Sequence, residues 1–201
     1  MSNCCFVLTK AKNVPRFDMP YIGVDRGAYI LASLKIPMDL AIGDFDSVTL
    51  SEKELIQTYA KEMIALNPVK DDTDFEAALK AIDLDAYDLI YVYGGLGGRL
   101  DHTFMNLRIV SMYPNKLCML DDLNRVIAYK KGVYKLSKDD YRYVSLFTTN
   151  TACITIEGVK YPLVKQDLTI TDLYTISNEI LQEYATLTVH DGIVVVMQCN
   201  D

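Results

Sequence analysis

The chain has 201 residues, a formal net charge of −7 and 50% hydrophobic residues. This apolar content excludes a disordered chain, and the acidic excess argues against a protein that binds nucleic acid through its phosphates. The length is enough for one large domain or two small ones.

Residues 1–123 alternate short apolar runs with helical patterns. The apolar runs at 4–8, 21–24, 39–42 and 89–93 are bounded by Gly, Asp or Pro, as is typical of buried parallel strands. Ser51 with Glu54 and Thr73 with Glu76 have the spacing that begins a helix, and residues 99–113 have a third helical pattern. The alternation predicts an α/β domain with a Rossmann-like parallel sheet and flanking helices.

The apolar stripe of the third helix is predicted to consist of Leu100, Phe104, Leu107 and Val110.

Residues 124–201 have a different texture, rich in Val, Ile, Thr and Tyr. Strands are predicted at 125–130, 133–136, 141–149, 153–157, 187–190 and 193–199. The Asp191-Gly192 pair between the last two runs predicts a hairpin turn. We therefore expect a second, all-β domain, folded as a sandwich.

The cysteines and the amino-terminal segment indicate the compartment. Five cysteines, none in a C-x-x-C pair, argue against a disulfide framework and a zinc site. The first residues lack the basic stretch of a signal peptide, and no apolar run approaches the roughly 20 residues that cross a bilayer. These features predict a soluble, cytoplasmic protein without a membrane segment.

Acidic residues concentrate where the predicted strands end. Asp25 follows one strand, Asp44 and Asp46 follow the next, and Asp101 follows a glycine-rich turn after a third; Asp71, Asp72 and Asp74 surround the start of a helix. Each feature alone is as easily a helix cap or a simple turn. The carboxyl ends of parallel strands share one edge, however, where ligands bind, so their coincidence predicts a site.

The residue types at this edge indicate the chemistry. Clustered carboxylates repel one another unless a cation neutralises them, and Mg²⁺ prefers hard oxygen ligands that it shares with phosphates. Glycines allow close approach to phosphate, and Arg99 can bind two phosphate oxygens. The combination predicts phosphoryl-type transfer from a nucleotide. The sequence has no P-loop motif, and it lacks the third glycine of a dinucleotide-binding motif.

Four blocks, in order along the chain, resemble the signature blocks of thiamine pyrophosphokinases. They are Gly23-Val24-Asp25-Arg26-Gly27-Ala28, Gly43-Asp44-Phe45-Asp46-Ser47-Val48, Lys70-Asp71-Asp72-Thr73-Asp74 and Gly97-Gly98-Arg99-Leu100-Asp101-His102. Three later blocks resemble the substrate domain of that family: Tyr161-Pro162-Leu163, Ile176-Ser177-Asn178-Glu179 and Thr188-Val189-His190-Asp191-Gly192-Ile193. The resemblance covers nearly the whole chain.

The resemblance implies a one-step transfer of the β,γ-diphosphoryl unit of ATP to the hydroxyl of thiamine, which gives thiamine diphosphate and AMP. It also implies a homodimer in which the nucleotide lies on the α/β domain and thiamine lies against the β domain of the partner. The residues implied to hold Mg²⁺ are Asp44, Asp46 and Asp74. The residues implied to bind the nucleotide are Thr73, Asp74, Gly98 and Arg99.

The resemblance implies further roles in the reaction. Asp25, Asp46, Arg99 and Asp101 are the implied catalytic residues. Arg99 stabilises the transferring charge, and Asp101 orients or deprotonates the hydroxyl of the substrate. Ser177 and Asn178 face the thiamine pyrimidine.

Two other functions remain open at this point. The same transfer to another alcohol, such as a hydroxymethylpterin, would use the same α/β domain, and only the Ser177-Asn178 block favours thiamine. A catalytically silent nucleotide sensor would be expected to have lost at least one of five residues that this chain retains. Those residues are Asp44, Asp46, Asp74, Arg99 and Asp101.

Overall fold

The computed structural model describes residues 2–67 and 72–201. The chain has a mixed α/β fold and divides into two compact units, Met1–Asn106 and Leu107–Asp201. None of the helices in the described part of the chain combines the length and the hydropathy of a membrane-spanning segment. The domain boundary between residues 123 and 124 stays a prediction.

The first unit contains five strands in parallel pairings. They are β1 (Ser2–Val7), β2 (Tyr21–Val24), β3 (Met38–Gly43), β4 (Ala60–Ala65) and β5 (Tyr87–Tyr93). Their order across the sheet is β5-β1-β2-β3-β4. The chain therefore moves outward from β1 to β4 and then returns to the other side of β1, so the strand order reverses between β1 and β5.

Helices pack on both faces of this sheet. The helices are α1 (Arg26–Ser33), α2 (Leu50–Tyr59), α3 (Asp74–Lys80) and α4 (Leu100–Met112), with a 3₁₀ turn at Leu84–Ala86. Alternate residues of a strand point to opposite faces. Val7 is buried in one cluster with Leu31 of α1, whereas the ring of Phe6 meets the ring of Phe75 in α3 with 6.1 Å between centroids.

The predicted helix starts are correct at one position and wrong at another. Thr73 caps α3 as predicted, and its hydroxyl accepts a hydrogen bond from the Glu76 N–H. The capping box of α2 is formed by Thr49 and Glu52 instead of Ser51 and Glu54. The overlapping S/T-x-x-E patterns make the two starts indistinguishable in sequence, and the first of them is the one that caps the helix.

The predicted apolar stripe of α4 is wrong at its amino end. Leu100 is 79% exposed and Phe104 is 63% exposed, whereas Val110 is fully buried. The helix itself is confirmed, but spacing alone does not show how far along a helix its apolar face is covered. Helix α1 and strand β4 were not predicted.

The second unit is built from antiparallel pairings. Its strands are β6 (Leu117–Leu120), β7 (Asn124–Tyr129), β8 (Gly132–Ser137), β9 (Tyr143–Glu157), β10 (Leu163–Thr169) and β11 (Tyr184–Cys199). The order is β10-β9-β11-β7-β6, and β8 also pairs with β11. The predicted runs at 141–149 and 153–157 are one strand, β9.

The hairpin predicted at Asp191-Gly192 is wrong, because both residues lie inside β11. The pairing of β11 with β9 shifts register on either side of them, which marks a β-bulge. Gly192 has φ +78°, and a Cβ atom there would lie 2.2 Å from the carbonyl oxygen of Thr151. The glycine is therefore required by a bulge. A bulge and a hairpin turn both need a residue with positive φ.

Candidate functional site

The first candidate residue, Asp25, links β2 to α1 in a strained backbone conformation. Its φ and ψ are 50° and −124°, a region that normally requires glycine and costs about 1–3 kcal/mol for other residues. Its carboxylate does not cap α1 and instead accepts a hydrogen bond from the Ser47 hydroxyl, with O···O distances of 3.0 and 3.2 Å. The turn therefore directs the carboxylate toward the loop that follows β3.

That loop carries Asp44 and Asp46 on either side of a buried residue. Phe45 has φ +56° and is only 5% exposed, so its ring packs inward while its neighbours remain at the surface. The Asp46 N–H donates to Asp44 Oδ1 at 3.1 Å. The anchored ring fixes the backbone of this loop, and the hydrogen bond holds the Asp44 carboxylate against it.

Asp25, Asp44 and Asp46 form the carboxylate cluster. One carboxylate oxygen of each lies within 4.8 Å of the others. Burial raises the pKa of Asp25, with smaller contributions from the Asp74 and Asp44 carboxylates, and hydrogen bonds from the Arg26 N–H and Ser47 oppose the rise. Three hard oxygen donors at this separation fit the ligand preferences of Mg²⁺.

The predicted metal set and the observed cluster differ by one residue. Asp44 and Asp46 belong to both, but Asp25 takes the third place that was assigned to Asp74. Asp74 begins α3 and lies near enough to Asp25 to affect its pKa. Its role as a metal ligand stays a prediction. Asp71, from the same predicted acidic group, and the neighbouring Lys70 lie outside the described residues.

Two residues without a predicted role organise this cluster. The Arg26 guanidinium donates to the Ser47 carbonyl at 2.8 Å and forms an ion pair with Glu52 at 3.3 Å. Asp25 and Arg26, adjacent in sequence, therefore hold the two ends of Ser47. Arg26 and Ser47 belong to the blocks 23–28 and 43–48 that resemble the family signatures. Their position next to the aspartates is the sequence feature that could have indicated their role.

The glycine-rich turn after β5 is held by side chains of α4. Asn106 donates to the Gly95 carbonyl at 2.8 Å, and the Thr103 hydroxyl donates to the Gly97 carbonyl at 3.2 Å. Gly98, predicted to contact the nucleotide, has φ +71°. The turn thereby acquires a fixed shape immediately before Arg99.

Arg99 and Asp101 form an exposed two-point ion pair. Arg99 Nε and Nη2 lie 3.1 and 2.7 Å from the two Asp101 oxygens. Arg99 and the His102 N–H together lower the pKa of Asp101 to about 2. Such exposed pairs contribute little to stability, so a phosphate can compete for Arg99 at small cost.

The substrate residues predicted in the second unit differ in what they contact. The Asn178 side chain donates to the Tyr161 carbonyl at 2.8 Å and accepts from the Tyr161 N–H at 3.0 Å. Asn178 also lines a cavity of about 50 Å³ together with Tyr161 and Tyr174. Ser177 has φ +56°, and its N–H donates to the Ser145 hydroxyl at 3.0 Å. The two tyrosines were not assigned a role from the sequence.

A larger cavity, of about 480 Å³, lies at the amino ends of β2, β3 and β4. Its lining includes Tyr21, Met38 and Lys61 and none of the predicted site residues. Lys61 there is paired with Asp39 at 2.6 Å. The carboxylate cluster lies instead at the carboxyl ends of the strands, the edge where ligands bind in open parallel sheets.

Comparison with known proteins gives a consistent result for both parts of the chain. The family model described as thiamin pyrophosphokinase, catalytic domain, matches residues 18–119, and that for the vitamin B1 binding domain of the same enzyme matches residues 133–194. A thiamine pyrophosphokinase from Bacillus subtilis is 32% identical over 187 residues, covering 90% of this chain and 87% of the relative.

Solved structures agree with these sequence matches. The crystal structure of a thiamin pyrophosphokinase family protein from Enterococcus faecalis is 27% identical with a TM-score of 0.86, covering 100% of both chains. The crystal structure of thiamine pyrophosphokinase from Bacillus subtilis is also 27% identical, with a TM-score of 0.85 and full coverage of both chains.

Proposed function

Because the chain belongs to the thiamin pyrophosphokinase family, we propose that it makes thiamine diphosphate and AMP from thiamine and ATP in one transfer of a diphosphoryl group. The observation that carries this proposal is the carboxylate cluster at the carboxyl edge of the parallel sheet, within the segment that the catalytic-domain model matches.

Mg²⁺ is the cofactor that the carboxylate cluster fits, with Asp25, Asp44 and Asp46 as proposed ligands and Asp74 nearby. When bound, it would neutralise the repulsion among these groups and part of the charge of the ATP phosphates. The chain's own contribution is the fixed placement of the oxygens by the Asp25 turn, the Phe45 anchor and Ser47.

Asp101 is proposed to orient the thiamine hydroxyl as an ionised hydrogen-bond acceptor. A general base works best when its pKa lies near the operating pH, and the Asp101 pKa of about 2 is far below that range. Arg99 leaves its exposed pairing with Asp101 for the transferring phosphates, where a guanidinium fits oxygen atoms in pairs. Thr73 and Gly98 are proposed to lie beside the same phosphates.

The second unit is proposed to bind thiamine through the region of Ser177 and Asn178. This assignment is supported by the vitamin B1 binding-domain match and by the cavity beside Asn178. We place the domain boundary between residues 123 and 124, since that point lies between the two matched segments.

We further propose a Rossmann-like first domain and a sandwich in the second. The sandwich is supported by β11, whose first half pairs with β8 and whose second half pairs with β7. Before the bulge only odd-numbered residues such as Leu187 are buried, whereas beyond it Val194 and Val196 are buried together with Val195. Strands that change layers in sandwiches do so at bulges of this kind.

The test is product identity. Purified protein given ATP, Mg²⁺ and thiamine should form AMP and thiamine diphosphate, measured by chromatography, with a reaction lacking thiamine as the control. Formation of ADP and thiamine monophosphate would contradict diphosphoryl transfer. A parallel reaction with a hydroxymethylpterin distinguishes an enzyme that acts on thiamine from one that acts on another alcohol. Binding of ATP without formation of any product would indicate the catalytically silent nucleotide sensor.

The enzyme is proposed to act as a homodimer with each site shared between subunits. The test mixes two inactive variants, Asp46→Asn and Ser177→Glu, after mild dissociation. A shared site predicts that activity returns on mixing, since one site of each heterodimer is intact. Sites contained within single subunits predict no recovery, and light scattering gives the oligomeric state of each sample.

A further inference from the structure

The loop after β1 lies where the strand order of the first unit reverses. Strand β1 has β2 on one side and β5 on the other, and the chain reaches them in opposite directions. In open parallel sheets, ligands bind beyond the carboxyl ends of the strands at this reversal point. The segments that meet there are residues 8–11 after β1 and the glycine-rich turn 94–98 after β5.

Backbone hydrogen bonds fix these two segments against each other. The Leu8 N–H donates to the Tyr93 carbonyl at 2.8 Å, and the Lys10 N–H donates to the Gly94 carbonyl at 3.3 Å. The Ala11 N–H closes the turn onto the Leu8 carbonyl at 3.1 Å. Lys10 is therefore held on a short, anchored loop beside the glycines.

The Lys10 side chain lies over Gly98. A Cβ atom built on Gly98 would be 2.8 Å from Lys10 Cε and 3.4 Å from Lys10 Nζ. These distances place the end of the lysine side chain directly against Gly98, so the turn and the ammonium group share one surface. Gly98 immediately precedes Arg99, which brings a second cation to the same turn.

The loop also adjoins the turn that carries Asp25. A Cβ atom on Gly27 would lie 1.9 Å from the Val7 carbonyl oxygen and 3.0 Å from Leu8 Cα. The segment containing Lys10 is thus placed between the Asp25 turn and the glycine-rich turn. The loop therefore adjoins both the turn that carries Asp25 and the turn that precedes Arg99.

Lys10 differs from the neighbouring arginines in its pairing. Arg99 is paired with Asp101, and Arg26 is paired with Glu52. Among the residues that the structure describes, Lys10 has no carboxylate partner, and its side chain is exposed. Its charge is available to an anion without the loss of an existing ion pair.

We propose that Lys10 binds a phosphate group of the nucleotide and is a determinant of ATP affinity. The proposal rests on the proposed function, because it assigns ATP as the ligand of this edge. A lysine acts on phosphate as a point charge, so the contribution is to nucleotide binding and not to binding of thiamine.

The experiment compares Lys10→Gln, Lys10→Arg and the matched control Lys12→Gln, which removes an exposed lysine two residues further along the same loop. Two measurements are made: the KM values for ATP and thiamine from AMP formation, and the affinity for a non-hydrolysable ATP analogue with Mg²⁺ by calorimetry. The second measurement needs no turnover. Thermal melting checks that all three variants fold.

Lys10→Gln is expected to raise the KM for ATP and weaken analogue binding by roughly 10- to 100-fold, the range for a lost charged hydrogen bond. Lys10→Arg should lose less, and Lys12→Gln and the KM for thiamine should stay within about twofold of the unaltered enzyme. An ATP KM and analogue affinity unchanged in Lys10→Gln would overturn the proposal.

The two proposals fail in different ways. If the unaltered protein forms no AMP with thiamine but Lys10→Gln still weakens analogue binding, the reaction is wrong and the Lys10 assignment stands. If AMP forms normally both in the unaltered protein and in Lys10→Gln, the Lys10 assignment is wrong and the proposed reaction stands. Absence of analogue binding by the unaltered protein would also overturn the Lys10 proposal.

Discussion

Asp44→Asn should stabilise the metal-free protein while it removes Mg²⁺ binding and activity. The substitution keeps the size of the side chain and the oxygen that accepts from the Asp46 N–H. It removes one negative charge from the carboxylate cluster, in which the oxygens of Asp25, Asp44 and Asp46 lie within 4.8 Å of one another. The stability gain and the activity loss therefore have the same physical source.

The magnitude follows from Coulomb's law. Two unit charges 4.8 Å apart repel by roughly 0.9 kcal/mol in water and by about 3.5 kcal/mol at an effective dielectric constant of 20. These side chains are half-buried or exposed, so the lower value is the better guide, and two pairs are removed. Salt reduces the effect further, giving about 1–2 kcal/mol. For a chain of this size that corresponds to a Tm increase of roughly 2–8 °C.

The assay is thermal unfolding in EDTA and then in increasing Mg²⁺. The unaltered protein should melt lower than Asp44→Asn in EDTA, and should gain stability with Mg²⁺ as RT ln(1 + [Mg²⁺]/Kd), while the variant gains much less. Asp88→Asn, an exposed position on β5 away from this edge, controls for the change in net charge. A Tm rise no larger than that of Asp88→Asn, or an equal response to Mg²⁺, would refute the reasoning.

Three further predictions concern the site and the fold. Asp46→Asn should reduce turnover by several orders of magnitude through lost charge stabilisation, measured as AMP formation; a near-normal rate would remove Asp46 from the metal site. Arg99→Gln should raise the pKa of Asp101 from about 2 toward 3.8, followed by NMR titration of the carboxyl carbon. Because the folded pKa is lowered, the stabilising effect of this pair is complete above about pH 4 and is lost as the pH falls toward 2; an unchanged midpoint in the variant would exclude Arg99 as the main cause. Gly192→Ala should lower the free energy of unfolding in urea by about 2–4 kcal/mol, from strain at positive φ together with the steric clash. Gly97→Ala, which has φ +77° but no atom within 4 Å of the new Cβ, should lose only the strain component, and equal losses would contradict the clash.

Four of the five strands of the first unit, β1, β2, β3 and β5, and the aspartates that follow them were predictable because their signals are local. A buried parallel strand is a short apolar run, and the carboxyl ends of such strands share an edge by geometry. This argument alone places Asp44 and Asp46 at the same edge as Asp25. It could not show that Asp25 takes the third place in the carboxylate cluster, because that depends on a strained φ of 50° and on the Ser47 hydrogen bond.

The wrong prediction at Asp191-Gly192 arises because a hairpin turn and a β-bulge require the same backbone conformation. Asp191-Gly192 satisfies the backbone of a hairpin turn and equally that of a bulge, and only the pairing with β9 decides between them. The exposure of Leu100 depends on which part of the helix is covered by the rest of the protein. The spacing of apolar residues in the sequence does not contain this information. The role proposed for Lys10 had no sequence signal, since it rests on the position of the loop after β1, the strand between β2 and β5.

The strained backbone conformation of Asp25 makes stability and activity favour different residues at this position. Glycine adopts φ 50° and ψ −124° without steric strain. Asp25→Gly would therefore release conformational strain and also relieve repulsion in the carboxylate cluster. Both effects favour the folded state and oppose the loss of the Ser47 hydrogen bond and the greater entropy of an unfolded glycine, and the same change removes a proposed ligand. A screen for thermal tolerance would therefore place little pressure against glycine at position 25, whereas a screen for thiamine diphosphate formation would eliminate it. Library designs for this enzyme need to hold that codon fixed.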